Sequence, residues 1–152
     1  MNMTTPQQTR SDAGLASALR ISVTRLARRL RAERQSEGLE PDLSDTQLAA
    51  LAALERHSAM TPGELADHEK VQPPSMTRVI GVLEERGLVM RAPHASDRRQ
   101  VVLTVTDYGR EVVQQSRRLR EAWLAKRLRE LTPQERAALR AAAPVLEKLS
   151  QS

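Results

Sequence analysis

The apolar positions of this chain recur at a helical period, switch once to a strand-like pattern, and then return to the helical one. From about Asp12, the residues Leu15, Leu19, Ile21, Leu26 and Leu30 fall at helical spacing as far as Gly38, which predicts a long first helix. Residues 1–11 are polar and without that period, so they read as a loose tail. The segment EGLEPDL (37–43) breaks the helix with Gly38 and Pro41. Helical spacing resumes at Leu48, Leu51 and Leu54 and ends near His57, and a short helix follows from Thr61 to about His68. Pro73 and Pro74 open another, which carries Met76, Val79, Ile80 and Leu83 and stops at Gly87, well placed for the left-handed residue after a helix end. Then the pattern changes. LVMRA (88–92) and QVVLTV (100–105) are rich in β-branched and aliphatic residues, and PHASDRR (93–99) between them suits a hairpin loop. Two helices close the chain, one capped by Thr106 with Val112, Leu119, Trp123 and Leu128, the other from Thr132 with Leu139, Ala142, Val145, Leu146 and Leu149. No internal repeat or low-complexity segment is visible.

Three of the helix starts carry the same local signature. Ser44 precedes Gln47, Thr61 precedes Glu64 and Thr132 precedes Glu135, each at the S/T-x-x-E/Q spacing of a capping box. The hydroxyl accepts from an orphan backbone N–H, while the later side chain accepts from the cap's own N–H. Pro62 and Pro133 directly follow two of these caps, where the missing N–H of proline costs nothing.

A short helix, a tight connection and a second helix followed at once by a two-stranded hairpin describe a winged helix-turn-helix. The predicted fold class is therefore mainly α: a winged helix-turn-helix with one β-hairpin wing, plus N- and C-terminal dimerisation helices. Residues 44–106 form the DNA-binding domain in this reading, and 12–43 with 107–152 the helical dimerisation region. A single α-helix fits the major groove of B-DNA, where every base pair shows its own donor and acceptor pattern. A hairpin can place a basic tip in the neighbouring minor groove, whose negative potential attracts arginine. The second helix begins with Gln72, Pro73, Pro74, Ser75, Thr77 and Arg78, and no acidic residue lies between Glu69 and Glu84 to repel phosphate. Its N-terminus offers positive dipole and free N–H groups to a phosphate. Arg78 is the candidate for a bidentate contact to guanine; by itself it also fits a solvated surface arginine. At the hairpin tip Asp97 precedes Arg98 and Arg99. An acidic residue two positions before an arginine can hold the guanidinium in one rotamer, although an ordinary polar turn contains such pairs too.

Composition sharpens this picture only in part. The net charge is +5, from 24 Lys and Arg against 19 Asp and Glu. The excess lies outside the DNA-reading segment: residues 61–105 carry six basic and six acidic side chains, and residues 106–152 carry ten and six. Local arrangement, not net charge, carries the nucleic-acid reading. There is no cysteine, which excludes disulfides, zinc–thiolate sites and thiol redox sensing. The start MNMTTPQQTRSDAG has no apolar stretch of signal-peptide type, and no apolar run is long enough to cross a bilayer, so a cytoplasmic protein without membrane contact is expected.

The run from Leu43 to Arg110 resembles the MarR (multiple antibiotic resistance regulator) family. The resemblance rests on the TPGELA opening, the PPSMTRVIGVLEERGLV helix and the DRRQVVLTVTDYGR passage. Within the last, Asp97-x-Arg99, Leu103-Thr104 and the Thr-x-x-Gly turn at 106–109 fall as that family's wing does. The outer helices match in placement and length, so the likeness spans residues 15–150 with specific motifs over less than half of them. It implies a triangular homodimer whose first and last helices intertwine, bound to double-stranded DNA. The recognition helix would enter the major groove, and Arg99, held by Asp97, the minor groove. Such regulators usually repress genes near their own, and many release DNA on binding a small, often aromatic or phenolic, effector; no cofactor is implied. The family's effector junction is bordered here by His57, Met60 and the inward face of the first helix, and no ligand-binding residue is singled out. In one place the chain departs from the usual helix-turn-helix. ADHEKVQPP has Lys70 where a glycine is common, so either Lys70 bears some strain or the turn is built differently.

Two other function classes compete. An enzyme lacks support, because His57, His68 and His94 are far apart and neither a Gly-rich phosphate loop nor a nucleophile elbow is present. Glu64 and His68 share a helix face that could contribute to a metal site, but a solvated face explains them as well. A non-catalytic helical dimerisation or interaction module would use the terminal helices but leaves the wing and the carboxylate-free helix unexplained. Trp123 and Tyr108 are the only aromatic residues, and Trp123 reads as packing at a dimer or domain junction.

Overall fold

The computed structural model describes residues 9–36 and 41–152. Most of the expected tail and the break at Gly38 lie outside the described residues. Eight elements follow in chain order: α1 (Asp12–Ser36), α2 (Asp45–His57), α3 (Pro62–Glu69), α4 (Pro73–Glu85), β1 (Val89–Pro93), β2 (Val101–Val105), α5 (Asp107–Arg129) and α6 (Pro133–Ser150). All three capping boxes form. The backbone N–H of Gln47, Glu64 and Glu135 donates to Ser44, Thr61 and Thr132 at 3.2, 3.1 and 3.2 Å, and each glutamine or glutamate accepts in return. Caps of this kind stabilise a helix by about 1 kcal/mol each.

The exit from α4 is equally well determined. Gly87 has φ 71°, Leu88 N–H donates to Leu83 O and Gly87 N–H to Glu84 O, both at 2.9 Å. These two bonds are a Schellman motif, which turns the chain sharply from α4 into β1. The start of α5 closes onto the same corner. Thr106 Oγ1 donates to Gly87 O at 2.7 Å and accepts from Gly109 N–H at 3.0 Å. A Cβ on Gly109 would sit 2.2 Å from Leu88 O, so only glycine lets the two backbones meet there. The Thr-x-x-Gly turn is therefore a clasp between α5 and the α4–β1 corner.

β1 and β2 pair antiparallel with Val89 opposite Val105 and Pro93 opposite Val101. Between α2 and α3, Met60 adds a single bridge to β2: its N–H donates to Leu103 O at 3.2 Å and its carbonyl accepts from Leu103 N–H at 2.7 Å. The hairpin is thus anchored to the helix-turn-helix on the strand that faces it. The core runs from Leu43 to Val113 and includes Leu51, Leu54, Leu65, Met76, Leu83 and Leu103, all fully buried. α6 has no buried residue, and Leu139, Val145, Leu146 and Leu149 along it are exposed, as are Leu15, Leu19, Val23 and Leu26 on α1. α1 packs on α5. At that junction the guanidinium carbons of Arg29 and Arg127 each lie 5.6 Å from the Trp123 ring. Trp123 therefore serves as packing between helices, with one cation–π partner from α1 and one from α5 itself. No described helix is long and apolar enough to cross a membrane.

Candidate nucleic-acid interface

Lys70 resolves the open question of the turn between α3 and α4. It takes the left-handed conformation itself, with φ 53° and ψ 42°, and its N–H caps α3 on Ala66 and Asp67. A side chain in that conformation costs roughly 1 kcal/mol. The ordinary turn geometry is kept and the strain is accepted, with Val71 N–H closing on Ala66 O at 3.0 Å.

The turn aims α4 outward. Met76, Ile80 and Leu83 are 1%, 1% and 0% exposed and fix one side of the helix to the core, whereas Gln72, Pro73, Pro74, Ser75, Thr77 and Arg78 are all exposed. Gln72 occupies the N-cap without a side-chain cap bond. Pro73 and Pro74 hold the first two helical positions and carry no N–H. The expected supply of free donors therefore narrows to Gln72 and Ser75, since Met76 N–H already donates to Gln72 O at 3.0 Å. The helix dipole is unaffected. Thr77 Oγ1 donates to Pro73 O at 3.0 Å, which spends its hydrogen inside the helix and leaves a methyl and a lone pair for an external contact. The guanidinium of Arg78 makes no ion pair among the described residues. Glu84, the next carboxylate along the helix, is paired with Arg91 Nε at 2.7 Å, which both neutralises it and ties α4 to β1.

The wing tip differs from the sequence expectation in one respect. Asp97 Oδ1 accepts from the backbone N–H of Arg99 at 3.0 Å and makes no ion pair with its guanidinium. The two-residue spacing is that of an Asx turn, in which the carboxylate reaches the backbone before it can reach the longer side chain. Asp97 therefore shapes the loop and does not grip the arginine. Its carbonyl also accepts from Gln100 N–H at 3.0 Å. His94, which sequence reasoning left without a role, completes the tip. Its Nδ1 accepts from the backbone N–H groups of Ser96 and Asp97 at 3.2 and 3.3 Å, and the His94 backbone N–H donates to Gln100 O at 3.1 Å. Arg98 and Arg99 both project from this braced loop, exposed. The structure thus gathers Gln72, Pro73, Pro74, Ser75, Thr77 and Arg78 around the exposed N-terminal end of α4, and Asp97 to Arg99 at the end of the adjoining hairpin. Glu64, weighed as a metal ligand with His68, spends a carboxylate oxygen on the Thr61 N–H at 3.1 Å, while the His68 ring lies 4.9 Å from that of His57.

A cavity of about 520 Å³ opens between α1, α2 and α5. Leu30, Leu48 and Val113 line it together with Arg31, Arg56 and Arg117, whereas His57 and Met60 do not. Arg31 is paired with Asp45, and Arg117 with Glu55 at 3.3 Å.

This arrangement recurs in known proteins. An HTH-type transcriptional regulator of Mycobacterium tuberculosis is 49% identical over 136 residues, 90% of this chain and 92% of that one. Residues 43–101 match the model of the MarR family. The chain belongs to the MarR family. It is also similar to the HTH-type transcriptional repressor MdtR of Bacillus subtilis, 28% identical over 91% of this chain and 87% of that one. A crystal structure from Pseudomonas aeruginosa PA01 superposes with a TM-score of 0.78 at 36% identity, over 95% of this chain and 99% of that one. As a MarR-family member the chain is a transcriptional regulator with a helix-turn-helix DNA-binding fold, not an enzyme.

Proposed function

We propose that this MarR-family regulator acts in the cytoplasm as a homodimeric repressor on a pseudo-palindromic operator. The observation that carries the DNA-binding part is the exposed N-terminal half of α4, free of carboxylates as far as Glu84, beside a wing whose two guanidinium groups form no ion pair among the described residues. In this reading Arg78 contacts a guanine edge, Thr77 a base or its methyl, and Gln72 with Ser75 the phosphates, while Pro73 and Pro74 set the helix start. Arg99 enters the minor groove and Arg98 meets the backbone, both presented by the Asp97 turn. Residues 44–106 are the DNA-binding domain, and 12–43 with 107–152 the dimerisation region. Support for the dimer comes from the apolar rows of α1 and α6, which a single copy leaves in water. Half-sites one helical turn apart, roughly 34 Å, follow from the two-fold symmetry. Repression is supported by the likeness to MdtR, itself a repressor by name. The cavity between α1, α2 and α5 is the place for an effector; with Arg31 and Arg117 already paired to carboxylates, Arg56 supplies the cation for an anionic group on an apolar body.

Selection of duplexes from a random pool by the purified protein, followed by anisotropy at low and high salt, tests this reading. A single enriched inverted repeat, bound with a steep salt dependence, is expected. No enrichment and no salt-dependent binding would leave the chain a non-catalytic interaction module.

A further inference from the structure

Gly81 has no reason to be glycine within the fold. It lies in the middle of α4, where glycine weakens a helix relative to alanine through lost backbone entropy. A Cβ built on it meets nothing within 4 Å, and its φ is not positive. Two other glycines differ: Gly87 needs its left-handed φ of 71°, and Gly109 would drive a Cβ to 2.2 Å from Leu88 O. A requirement at Gly81, unlike those at Gly87 and Gly109, has no source among the described residues and points outside the chain.

Its position says from where. Pro74, Arg78, Gly81 and Glu85 fall on one row of α4, and all four are exposed, opposite the buried Met76, Ile80 and Leu83. Side chains on a helix lean toward its N-terminus and cover the preceding turn. Any side chain at 81 would spread over Thr77 and Arg78, the two groups best placed to read base edges. Glycine leaves their outer side clear and exposes bare helix backbone beside them. One turn further on, Glu85 puts an exposed carboxylate on the same row, which marks where approach to phosphate must end.

We propose that Gly81 is the point of closest approach between α4 and the major groove, and that its missing side chain sets how deeply Arg78 reaches. This inference rests on the DNA-binding reading given above. It makes stability and operator affinity move in opposite directions, which a structural glycine cannot do.

Gly81→Ala and Gly81→Leu, compared with the unaltered protein, provide the test. Gly81→Ala should raise Tm by about 2–4 °C and weaken operator binding about fivefold, and Gly81→Leu should weaken it by more than about tenfold. Binding to random duplex at low salt should change less than about twofold in both, because phosphate contacts elsewhere dominate it. Operator affinity unchanged in Gly81→Leu would overturn the inference while leaving the DNA-binding reading intact. A lower Tm in Gly81→Ala would give the glycine a role inside the fold and overturn it as well. Failure of the unaltered protein to bind any duplex would remove both readings together.

Discussion

Replacing Asp97 separates two ways in which a carboxylate can serve a DNA-binding wing. The bond from Arg99 N–H to Asp97 Oδ1, at 3.0 Å, is an exposed side-chain–backbone bond, a type whose net worth is about 0.5–1.5 kcal/mol. Its loss in Asp97→Ala frees the tip, so Arg98 and Arg99 must be ordered at the moment of binding. Loss of the charge acts in the opposite sense. A unit charge roughly 10 Å from a phosphate in water is worth about 0.4 kcal/mol. Screening over a Debye length of about 8 Å cuts that to roughly 0.1 kcal/mol at physiological salt. The turn therefore outweighs the charge, and Asp97→Ala should weaken operator binding by about two- to tenfold. Asparagine forms the same turn and lacks the charge, so Asp97→Asn should bind within about twofold of the unaltered protein, or tighter. Fluorescence anisotropy on one selected operator at one salt concentration measures all of this. The double variant Asp97→Ala with Arg99→Ala should be little worse than Arg99→Ala alone, because an arginine that is absent needs no presentation. Asp97→Asn as weak as Asp97→Ala would refute the turn argument and return the role to a carboxylate–guanidinium contact. Tighter binding by Asp97→Ala would reduce the wing to a generic basic loop.

Three further outcomes follow from single contacts. Arg78→Ala should cost about 1–3 kcal/mol of specific binding and relax preference at one position per half-site; a loss spread evenly over all sequences, read by competition with single-base operator variants, would make Arg78 a phosphate contact. Gly109→Ala forces a Cβ to 2.2 Å from the Leu88 carbonyl, and should lower stability by about 3 kcal/mol in urea unfolding, with a loss under about 0.5 kcal/mol contradicting the clasp at that corner. Lys70→Gly relieves a left-handed φ of 53° and should raise stability by roughly 0.5 kcal/mol after the added unfolded-state entropy; a fall in Tm would show that the turn gains something else from lysine.

What could be read from the sequence was whatever closes over three or four residues. The capping boxes at Ser44, Thr61 and Thr132 are complete within a single turn, and each formed as spelled. The hairpin was legible because β-branched runs flank a polar loop, and Gly87 because a helix that ends on a Schellman motif needs a left-handed residue there. Lys70 was only half legible: its place in the turn was plain, but a residue that tolerates strain leaves no local mark of having done so. At Asp97 the same two-residue spacing suits either a guanidinium or a backbone N–H, and the shorter reach won. The roles that His94 and Met60 take in the fold were not legible for a different reason. The His94 ring accepts from backbone N–H groups, which carry no residue-specific mark, and the Met60 bridge to Leu103 joins backbone groups far apart in the chain. The exposed rows on α1 and α6 were visible as helical periodicity, and the fold adds that one copy leaves them uncovered.

The central claim is that two copies of the chain, joined through α1 and α6, place two α4 helices on one duplex. Sedimentation velocity of the protein on a selected operator, beside the same protein lacking residues 132–152, tests it most directly. The account predicts two chains per duplex for the full chain, at every concentration where binding occurs. For the shortened chain it predicts a monomer whose operator affinity falls to that for random DNA, a loss of about 10³-fold or more. A folded, full-length monomer that occupies the inverted repeat as one chain and binds it tightly would contradict the account.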